Sequence, residues 1–314
     1  MTDKGSAISA SYYMGKAAFK LFRLFFMLLM TFVILYPLLY MISMAFRTVA
    51  DVYNPTVVWI PIHYSVESFR LLFREFGVLA PLWNTCWISL LSSFIQVLVV
   101  SFTAYGFARF RFRGRGLLFA LLVFSIVVPP QMYSMPTYLS FSNFDVLGFF
   151  TALTGGPVSL LGKPAVFPAL ALLGQGIRAS LFILIMRQYY RNLPAELEEA
   201  ALIDGCGYFR CYRSIIFPSG LTQMFVIFLF SVVWYWNDYY FSSIYLGGSS
   251  TFAVKLSNIR AMLENASGLQ SHNSYQIAIY EQAGCLLLIV PLVILYILTQ
   301  RYFVEGLEKT GLVG

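Results

Sequence analysis

The chain has 314 residues, of which 59% are hydrophobic, 18% are aromatic and only 11% are charged. Soluble domains carry about 25% charged residues, so this composition excludes a soluble globular protein. Lys and Arg outnumber Asp and Glu by 21 to 14, and in a membrane protein this excess indicates basic cytoplasmic loops rather than a nucleic-acid surface. The composition therefore predicts an all-α, polytopic membrane protein.

Six apolar stretches approach or exceed the roughly 20 residues that a membrane-spanning helix needs. They lie at 24–45, about 85–107, 116–136, about 166–186, 215–236 and 282–298. The fourth stretch is the weakest, because Arg178 interrupts it and a glycine-rich loop precedes it. We expect six transmembrane helices within a membrane domain over 21–303, with an N-terminal tail over 1–20 and a C-terminal tail over 304–314.

The basic residues are distributed unevenly among the loops between these stretches. With the N-terminus inside, 14 of the 21 fall in cytoplasmic segments, six fall in outer segments, and Arg178 remains within a span. Lys and Arg are enriched in cytoplasmic loops, so both termini are predicted to be cytoplasmic. The run Arg109 to Arg115 interleaves arginine with phenylalanine, and its position between two spans favours contact with anionic lipid over single-stranded nucleic acid.

The sequence lacks the residue sets that metal binding or catalysis requires. Its four cysteines are scattered, and its two histidines are His63 and His272, so no metal site can be assembled. The nearest approach to a P-loop, 156–163, has the wrong glycine spacing and is followed by Pro164 in place of Ser or Thr. We therefore expect no catalytic residues and no ATP hydrolysis by this chain.

The segment 193–218, between the fourth and fifth stretches, has a different chemistry. Pro194 suits a first helical turn, three glutamates follow near the positive end of the helix dipole, and Gly205 and Gly207 can end the helix in a left-handed conformation. Apolar Leu197 lies at helical spacing from two alanines, and so short a helix needs a partner surface to be stable. The residues expected to dock into a cleft of that partner are Glu196, Glu198, Glu199, Ala200, Ala201, Asp204 and Gly205.

This segment carries a recognisable motif. It consists of Glu199-Ala200-Ala201, three residues, Gly205, nine residues, Ile215, one residue, and Phe217-Pro218. The motif resembles the EAA loop of binding-protein-dependent ABC importer permeases. Further similar stretches are Tyr36-Pro37, Asn84-Thr85, Ala104 to Arg109, Val128 to Gln131, Trp236 to Tyr239 and Gln300 to Gly306. Over about 20–314, the chain resembles the shorter permease subunit of maltose-type carbohydrate importers.

The resemblance implies a type I ABC importer permease fold in which the helix at about 195–205 is a coupling helix seated in a cytosolic ATPase. It also implies a second permease subunit, forming a heterodimer, two copies of the ATPase that bind ATP and Mg²⁺, and an extracytoplasmic solute-binding protein. The substrate would be a sugar, and membrane lipids would surround the permease. This chain would bind no cofactor itself. The tail glutamates Glu305 and Glu308 would also contact the ATPase.

A translocation path is expected near the end of the fifth stretch. Asn237 and Asp238 offer hydrogen-bonding groups for sugar hydroxyls, whereas anchoring at the membrane interface is the favoured interpretation for Trp236 and Tyr239. Arg178 either faces a water-filled cavity, pairs with a partner subunit, or lies outside a span whose boundary is misplaced. Its role is left open among these three.

Two alternative functions use the same membrane architecture. An ion-coupled secondary carrier would need acidic groups inside the spans, and none of the predicted span interiors contains Asp or Glu. An ABC permease for a solute other than a sugar is the second alternative, because selectivity in such systems resides largely in the binding protein and the partner permease.

Overall fold

The computed structural model describes residues 3–145, 148–247, 251–266 and 274–311, and within these ranges the chain is helical with no β-strand. The helices of the first half are α1 (Asp3–Ala45), α2 (Val49–Val52), α3 (Glu67–Arg74), α4 (Leu79–Arg109), α5 (Arg115–Val127), α6 (Pro130–Ser142), α7 (Phe149–Thr154) and α8 (Val166–Leu172). Those of the second half are α9 (Ala179–Asn192), α10 (Glu196–Ile203), α11 (Tyr208–Cys211), a π-helical turn (Tyr212–Ile216), α12 (Phe217–Ser219), α13 (Leu221–Trp236), α14 (Tyr240–Tyr245), α15 (Phe252–Ser257), α16 (Ile259–Ala266) and α17 (Ser274–Gly311).

Three helices in the described ranges are long and apolar enough to cross a membrane by themselves. They are Gly15–Ala45 of α1, the whole of α4, and Tyr275–Arg301 of α17, which include the predicted first, second and sixth stretches. Two bent pairs bring the total to five if each pair is one span: α5 with α6, bent by 106°, and Tyr208–Ser219 with α13, bent by 72°. The predicted third and fifth stretches fall on these bent pairs.

The bend in the third stretch follows from two consecutive prolines. Val128 takes an extended conformation, with ψ of 121°, because the ring of Pro129 disfavours the helical conformation of the residue before it. Pro130 then starts α6, a position where its missing N–H costs no helical hydrogen bond. A single straight helix over 116–136 is therefore not formed.

The fourth predicted stretch, about 166–186, is also not one helix. α8 ends at Leu172 and α9 begins at Ala179, so the stretch is divided by a six-residue break. Gly174 and Arg178 both have positive φ, +75° and +59°, which a continuous right-handed helix excludes. A continuous helix over this stretch is therefore not formed, and the position of Arg178 at the break explains why the charge interrupts an apolar stretch.

A buried hydrogen-bond network fixes this break. The amide nitrogen Nε2 of Gln96, on α4, donates to the carbonyl of Ile177 over 2.8 Å, and the hydroxyl of Tyr235, on α13, donates to Oε1 of Gln96 over 2.7 Å. The backbone N–H of Ile177 donates in turn to the Tyr235 hydroxyl over 3.3 Å. Both side chains are buried, so the network supplies hydrogen bonds that water cannot supply there.

The chain divides into two compact units, 1–72 with 260–287 and 73–259 with 288–314. In the second unit α4 packs against α8, α9 and α13. Near the α10 end of this core, the hydroxyl of Ser101 lies 2.7 Å from that of Tyr190 and 2.8 Å from that of Tyr212. These contacts join α4 to α9 and to the π-helical turn.

In the first unit, the segment after α1 folds back along that helix. The ring of Trp59 lies 4.9 Å from the ring of Tyr36 and 5.9 Å from that of Phe32, measured between centroids. The guanidinium of Arg47 donates to the carbonyl of Val58 over 2.7 Å and fixes the start of this return. Most apolar side chains of α1 between 19 and 42 are exposed and are not covered by other parts of this chain. Such a surface is expected to face lipid or another subunit.

Gly176 is expected to be essential for the network around the break. A Cβ atom added there would overlap Oε1 of Gln96 and lie 2.6 Å from the Tyr235 hydroxyl, so Gly176→Ala must displace both side chains. We expect a loss of about 1–3 kcal/mol of stability, seen as a lower unfolding midpoint of the detergent-solubilised protein. Gly116→Ala, on α5 with no atom within 4 Å of the new Cβ, is the matched control and should not lower the midpoint. Equal midpoints for the two variants would contradict the tight packing at Gly176.

Candidate functional site

The predicted short helix is present as α10, and its end has a defined capping geometry. Gly205 has φ of +81°. The N–H of Cys206 donates to the carbonyl of Ala201 over 2.9 Å, and the N–H of Gly205 donates to the carbonyl of Leu202 over 3.1 Å. These two bonds form a Schellman motif, in which glycine is strongly preferred at the left-handed position. Gly207 has φ of −71°, so the prediction of a left-handed cap is confirmed for Gly205 and wrong for Gly207.

The two faces of α10 have different environments. Ala201 is 8% exposed and lies against the rest of its unit, and Glu198 on the same face is partly buried. Glu196, Glu199 and Ala200 are exposed on the other side. Adjacent residues of a helix point in directions about 100° apart, so the two alanines do not dock together as predicted. Ala200 lies on the exposed face, called the open face below, whereas Ala201 packs inward.

Exposed apolar side chains extend the open face of α10. Ile203 is 86% exposed, Leu197 is 45% exposed, and Tyr208 and Phe209 after the helix are 60% and 69% exposed. Asp204 ends the helix as an exposed residue. A concentrated set of large apolar groups beside exposed carboxylates is typical of a surface that another protein covers.

Arg109 connects α4 to this segment. One of its terminal nitrogens, Nη2, donates to the carbonyl of Leu193 over 2.7 Å, and its Nε lies 3.4 Å from Oε1 of Glu198. Both charged side chains are only 14% exposed. Sequence reasoning grouped Arg109 with the lipid-contacting arginines and missed this role, because its partners lie 84 and 89 positions away in the sequence and no local pattern joins them.

The carboxyl of Glu198 is affected by this environment. Burial raises its pKa above the ordinary value of 4.5, and the positive charge of Arg109 opposes that effect without cancelling it. The protonated form is thus favoured more in the folded protein than in water.

The second feature is a cavity of about 810 Å³ within the second unit. Its walls come from the α5–α6 bend, the break between α8 and α9, and the end of α13. The sequence-predicted residues Arg178, Asn237 and Asp238 all line this cavity, so the fold brings together groups that are about 60 positions apart. Aromatic Tyr133 and Trp234 are further lining residues.

Arg178 occupies an unusual position in the cavity wall. It is the N-cap residue of α9, is exposed, and has a left-handed backbone with φ of +59°. Its guanidinium carbon lies 4.6 Å from the centre of the Trp234 ring, a cation–π geometry. Of the three interpretations that sequence left open, a charge that faces a cavity matches this position.

The residues at the end of α13 have separate roles. Asp238 accepts hydrogen bonds from the backbone of Phe241 and Ser242 and from the Ser242 hydroxyl, so it caps α14. Asn237 donates to the carbonyl of Val233 over 2.9 Å. Trp236 is only 6% exposed and donates to the carbonyl of Leu288 over 3.0 Å. Its expected role as an interfacial anchor is therefore wrong.

Tyr239 differs from Trp236 at the end of α13, since Tyr239 is 50% exposed and lines the cavity.

The tail glutamates Glu305 and Glu308 lie on α17, and their side chains are outside the described part of the chain. His272 also lies outside the described residues. Among those that are described, no three His, Cys, Asp or Glu residues are grouped so as to hold a metal ion.

Comparison with known proteins gives a consistent result. Residues 96–309 match the family model described as "Binding-protein-dependent transport system inner membrane component". A chain of a solved bacterial ABC transporter, involved in the import of the acidic polysaccharide alginate, shares the fold with a TM-score of 0.70 at 20% identity. The alignment covers 92% of this chain and 98% of that chain.

Two curated relatives cover almost the whole chain. The probable ABC transporter permease protein YurM of Bacillus subtilis is 25% identical over 96% of this chain and 90% of its own length. The arabinooligosaccharides transport system permease protein AraQ of Halalkalibacterium halodurans is 26% identical over 90% of this chain and 92% of its own.

The family match covers more than half of the chain, and the alternative of an ion-coupled secondary carrier is thereby excluded. Such a permease is a multi-pass component of the bacterial inner membrane, and it works with a partner permease, a separate ATPase and a solute-binding protein. The chain belongs to the inner-membrane components of binding-protein-dependent transport systems and is the permease of an ABC importer.

Proposed function

We propose that this permease carries a sugar or oligosaccharide through a path that includes the cavity beside Arg178, Asn237 and Asp238. The observation that carries the proposal is the lining of that cavity, which contains both aromatic rings and hydrogen-bonding groups. The cavity volume of about 810 Å³ lies within the range of ordinary ligand pockets, about 300–1,000 Å³. Relatives named for arabinooligosaccharides and for polygalacturonan or rhamnogalacturonan support the same class.

The complex that this function needs contains several other subunits. We infer a heterodimer with a second permease, two copies of a cytosolic ABC ATPase, and an extracytoplasmic binding protein that delivers the substrate. ATP and Mg²⁺ would be bound by the ATPase subunits, and this chain would bind no cofactor and would not act as an enzyme. The absence of a P-loop motif from the sequence supports this division of labour.

The coupling role belongs to the loop over 193–218 in this proposal. Glu196, Glu199, Ala200, Asp204 and Gly205 would meet the ATPase, and the exposed apolar groups beside them would fill its groove. Glu198 and Ala201 would act from the inner face by holding the helix on its unit. Glu305 and Glu308 remain proposed tail contacts with the same ATPase.

Attachment at both ends makes the coupling segment a rigid element. Before α10, the Leu193 carbonyl accepts from Arg109, and after it, the Tyr212 hydroxyl lies 2.8 Å from that of Ser101. Both Arg109 and Ser101 belong to α4, so a displacement of the docked helix would move α4 as a body. Two docked positions would then favour outward- and inward-facing states to different extents.

The membrane topology of the proposal has six spans of a type I permease fold within 21–303. The bent pair α5–α6, the divided pair α8–α9 and the bent pair ending in α13 would be the third, fourth and fifth. The tails over 1–20 and 304–314 would be cytoplasmic. Membrane lipids would contact the exposed apolar surface, with the exposed Arg111 and Arg113 near anionic headgroups and no nucleic acid bound.

Gly205 provides a direct test of coupling and of sugar transport. No atom of this chain lies within 4 Å of a Cβ added at Gly205, so within the chain a substitution acts through the left-handed backbone. Gly205→Val should strain α10 by roughly 1–2 kcal/mol and lower ATP-driven oligosaccharide uptake into proteoliposomes about tenfold. Gly205→Asn tolerates this backbone and is the matched control. Wild-type uptake by Gly205→Val, with a normal amount of permease in the membrane, would contradict the coupling role. Uptake of only non-sugar solutes would contradict the proposal that the substrate is a sugar.

The two partners in the Arg109–Glu198 pair should differ on substitution. Arg109→Gln leaves the Leu193 carbonyl and a buried carboxylate without their cation, so we expect a loss of about 1–3 kcal/mol at pH 7. Glu198→Gln should cost little. Because the pKa of Glu198 is raised in the folded state, its stabilising contribution is present below pH 4.5 and is lost as the pH rises through the folded value, and glutamine resembles the protonated form. The measurement is the thermal unfolding midpoint of the solubilised complex between pH 4.5 and 7. Equal losses at pH 7 would contradict this ranking.

Cysteine labelling tests the topology. In a background without Cys86, Cys206, Cys211 and Cys285, a cysteine at the exposed Tyr64 should react with a membrane-impermeant thiol reagent in intact cells. A cysteine at the exposed Arg113 should react only after the cells are opened. Labelling of position 113 but not of position 64 in intact cells would reverse the orientation.

A further inference from the structure

The cavity has two charged lining residues, and their charges are not equally available. Asp238 is engaged by α14: its Oδ2 accepts from the N–H of Ser242 over 2.7 Å and from the Ser242 hydroxyl over 2.8 Å. Its Oδ1 accepts from the N–H of Phe241 over 3.3 Å. The negative charge thus lies at the positive end of a short helix, where the helix dipole and three hydrogen bonds offset it.

Arg178 has no such compensation. Within the described ranges its guanidinium forms no ion pair and no hydrogen bond with a protein group, and it lies over the face of the Trp234 ring. A guanidinium that lies over an aromatic ring keeps its N–H donors at its edge, where they can form two parallel bonds to an anion. The positive charge therefore faces the open cavity.

The backbone at Arg178 is costly for an arginine. Among the described residues it is the only one other than glycine with positive φ. The conformation is imposed from both sides, since Gln96 holds the carbonyl of Ile177 and α9 begins at Ala179. Glycine or asparagine would occupy this position with less strain, so the presence of arginine points to a functional use of its side chain.

The start of α9 adds to the same field. Ala179, Ser180 and Leu181, the first turn of this 14-residue helix, line the cavity next to Arg178. The N-terminal turn carries the positive end of the helix dipole. A cation and a helix N-terminus thus converge on one wall.

We propose that this wall binds an anionic group, a carboxylate or phosphate, carried by the transported saccharide, with the sugar ring against Trp234. This inference rests on the proposed sugar transport and specifies its substrate class as acidic saccharides. Arg178 would hold the anion through two N–H bonds. Asp238 would keep its capping role.

The test uses the purified complex with its partner permease and ATPase, without the binding protein, so that binding reports on the membrane subunits. The probes are trigalacturonate, glucose 1-phosphate and the neutral trisaccharide galactotriose, each followed by equilibrium binding. The variants are Arg178→Asn, which accepts the left-handed backbone and removes the charge, and Arg178→Lys, which keeps the charge without the fork. Arg74→Asn removes an exposed charge outside the cavity and is the matched control.

We expect the wild-type complex to bind at least one anionic probe about tenfold more tightly than galactotriose, since bonds to charged groups are the strong ones. Which anionic probe binds separates the carboxylate from the phosphate. Arg178→Asn should remove this preference, Arg178→Lys should retain part of it, and Arg74→Asn should leave it unchanged. Added salt should weaken the binding of the anionic probe and not that of galactotriose. This measurement uses the wild-type protein and stays informative even if a variant misfolds.

Binding of galactotriose that equals or exceeds that of both anionic probes, without a salt effect, would overturn the anion site and leave the sugar permease standing. An unchanged preference in a folded Arg178→Asn complex would also overturn it. Failure of the complete system, with its binding protein, to take up any of the three probes or other saccharides would instead remove the proposed sugar transport.

Discussion

The hydrogen bonds between Gln96, Tyr235 and Ile177 are the constraint on which the cavity depends. They hold a non-helical segment inside an apolar bundle, where every unpaired backbone group would cost free energy. Because the segment is fixed, α9 begins at the cavity wall and Arg178 takes a left-handed backbone. The cavity therefore results from the break between α8 and α9, which two neighbouring helices, α4 and α13, stabilise.

The same helix that carries Gln96 also connects the cavity to the segment that contains α10. α4 contributes Gln96 to the break, Ser101 to the tyrosine contacts, and Arg109 to the start of the segment that contains α10. These residues lie on one continuous helix, so a force applied at α10 has a direct mechanical route to the wall of the cavity. This arrangement gives the proposed coupling between ATPase and transport path a physical basis.

Local sequence chemistry explains much of the fold. Val128 before two prolines forces the bend between α5 and α6, and Gly205 ends α10 in the left-handed conformation that glycine adopts at lower cost than most residues. Neither feature depends on distant residues, which is why the short helix and its end could be predicted. The break at 173–178 could not, because glycine and a single charge are equally compatible with a continuous span.

By itself, the sequence determined the membrane character, the helical class, the EAA-type segment and its resemblance to importer permeases, because composition, apolar length and motif spacing are local properties. The tertiary structure alone decided that Arg109 binds Leu193 and faces Glu198, that Ala201 packs inward, and that Trp236 is buried. It also brought Arg178 to the same cavity as Asp238. Each of these depends on contacts between residues far apart in the chain, and such contacts leave no periodic signal in the sequence.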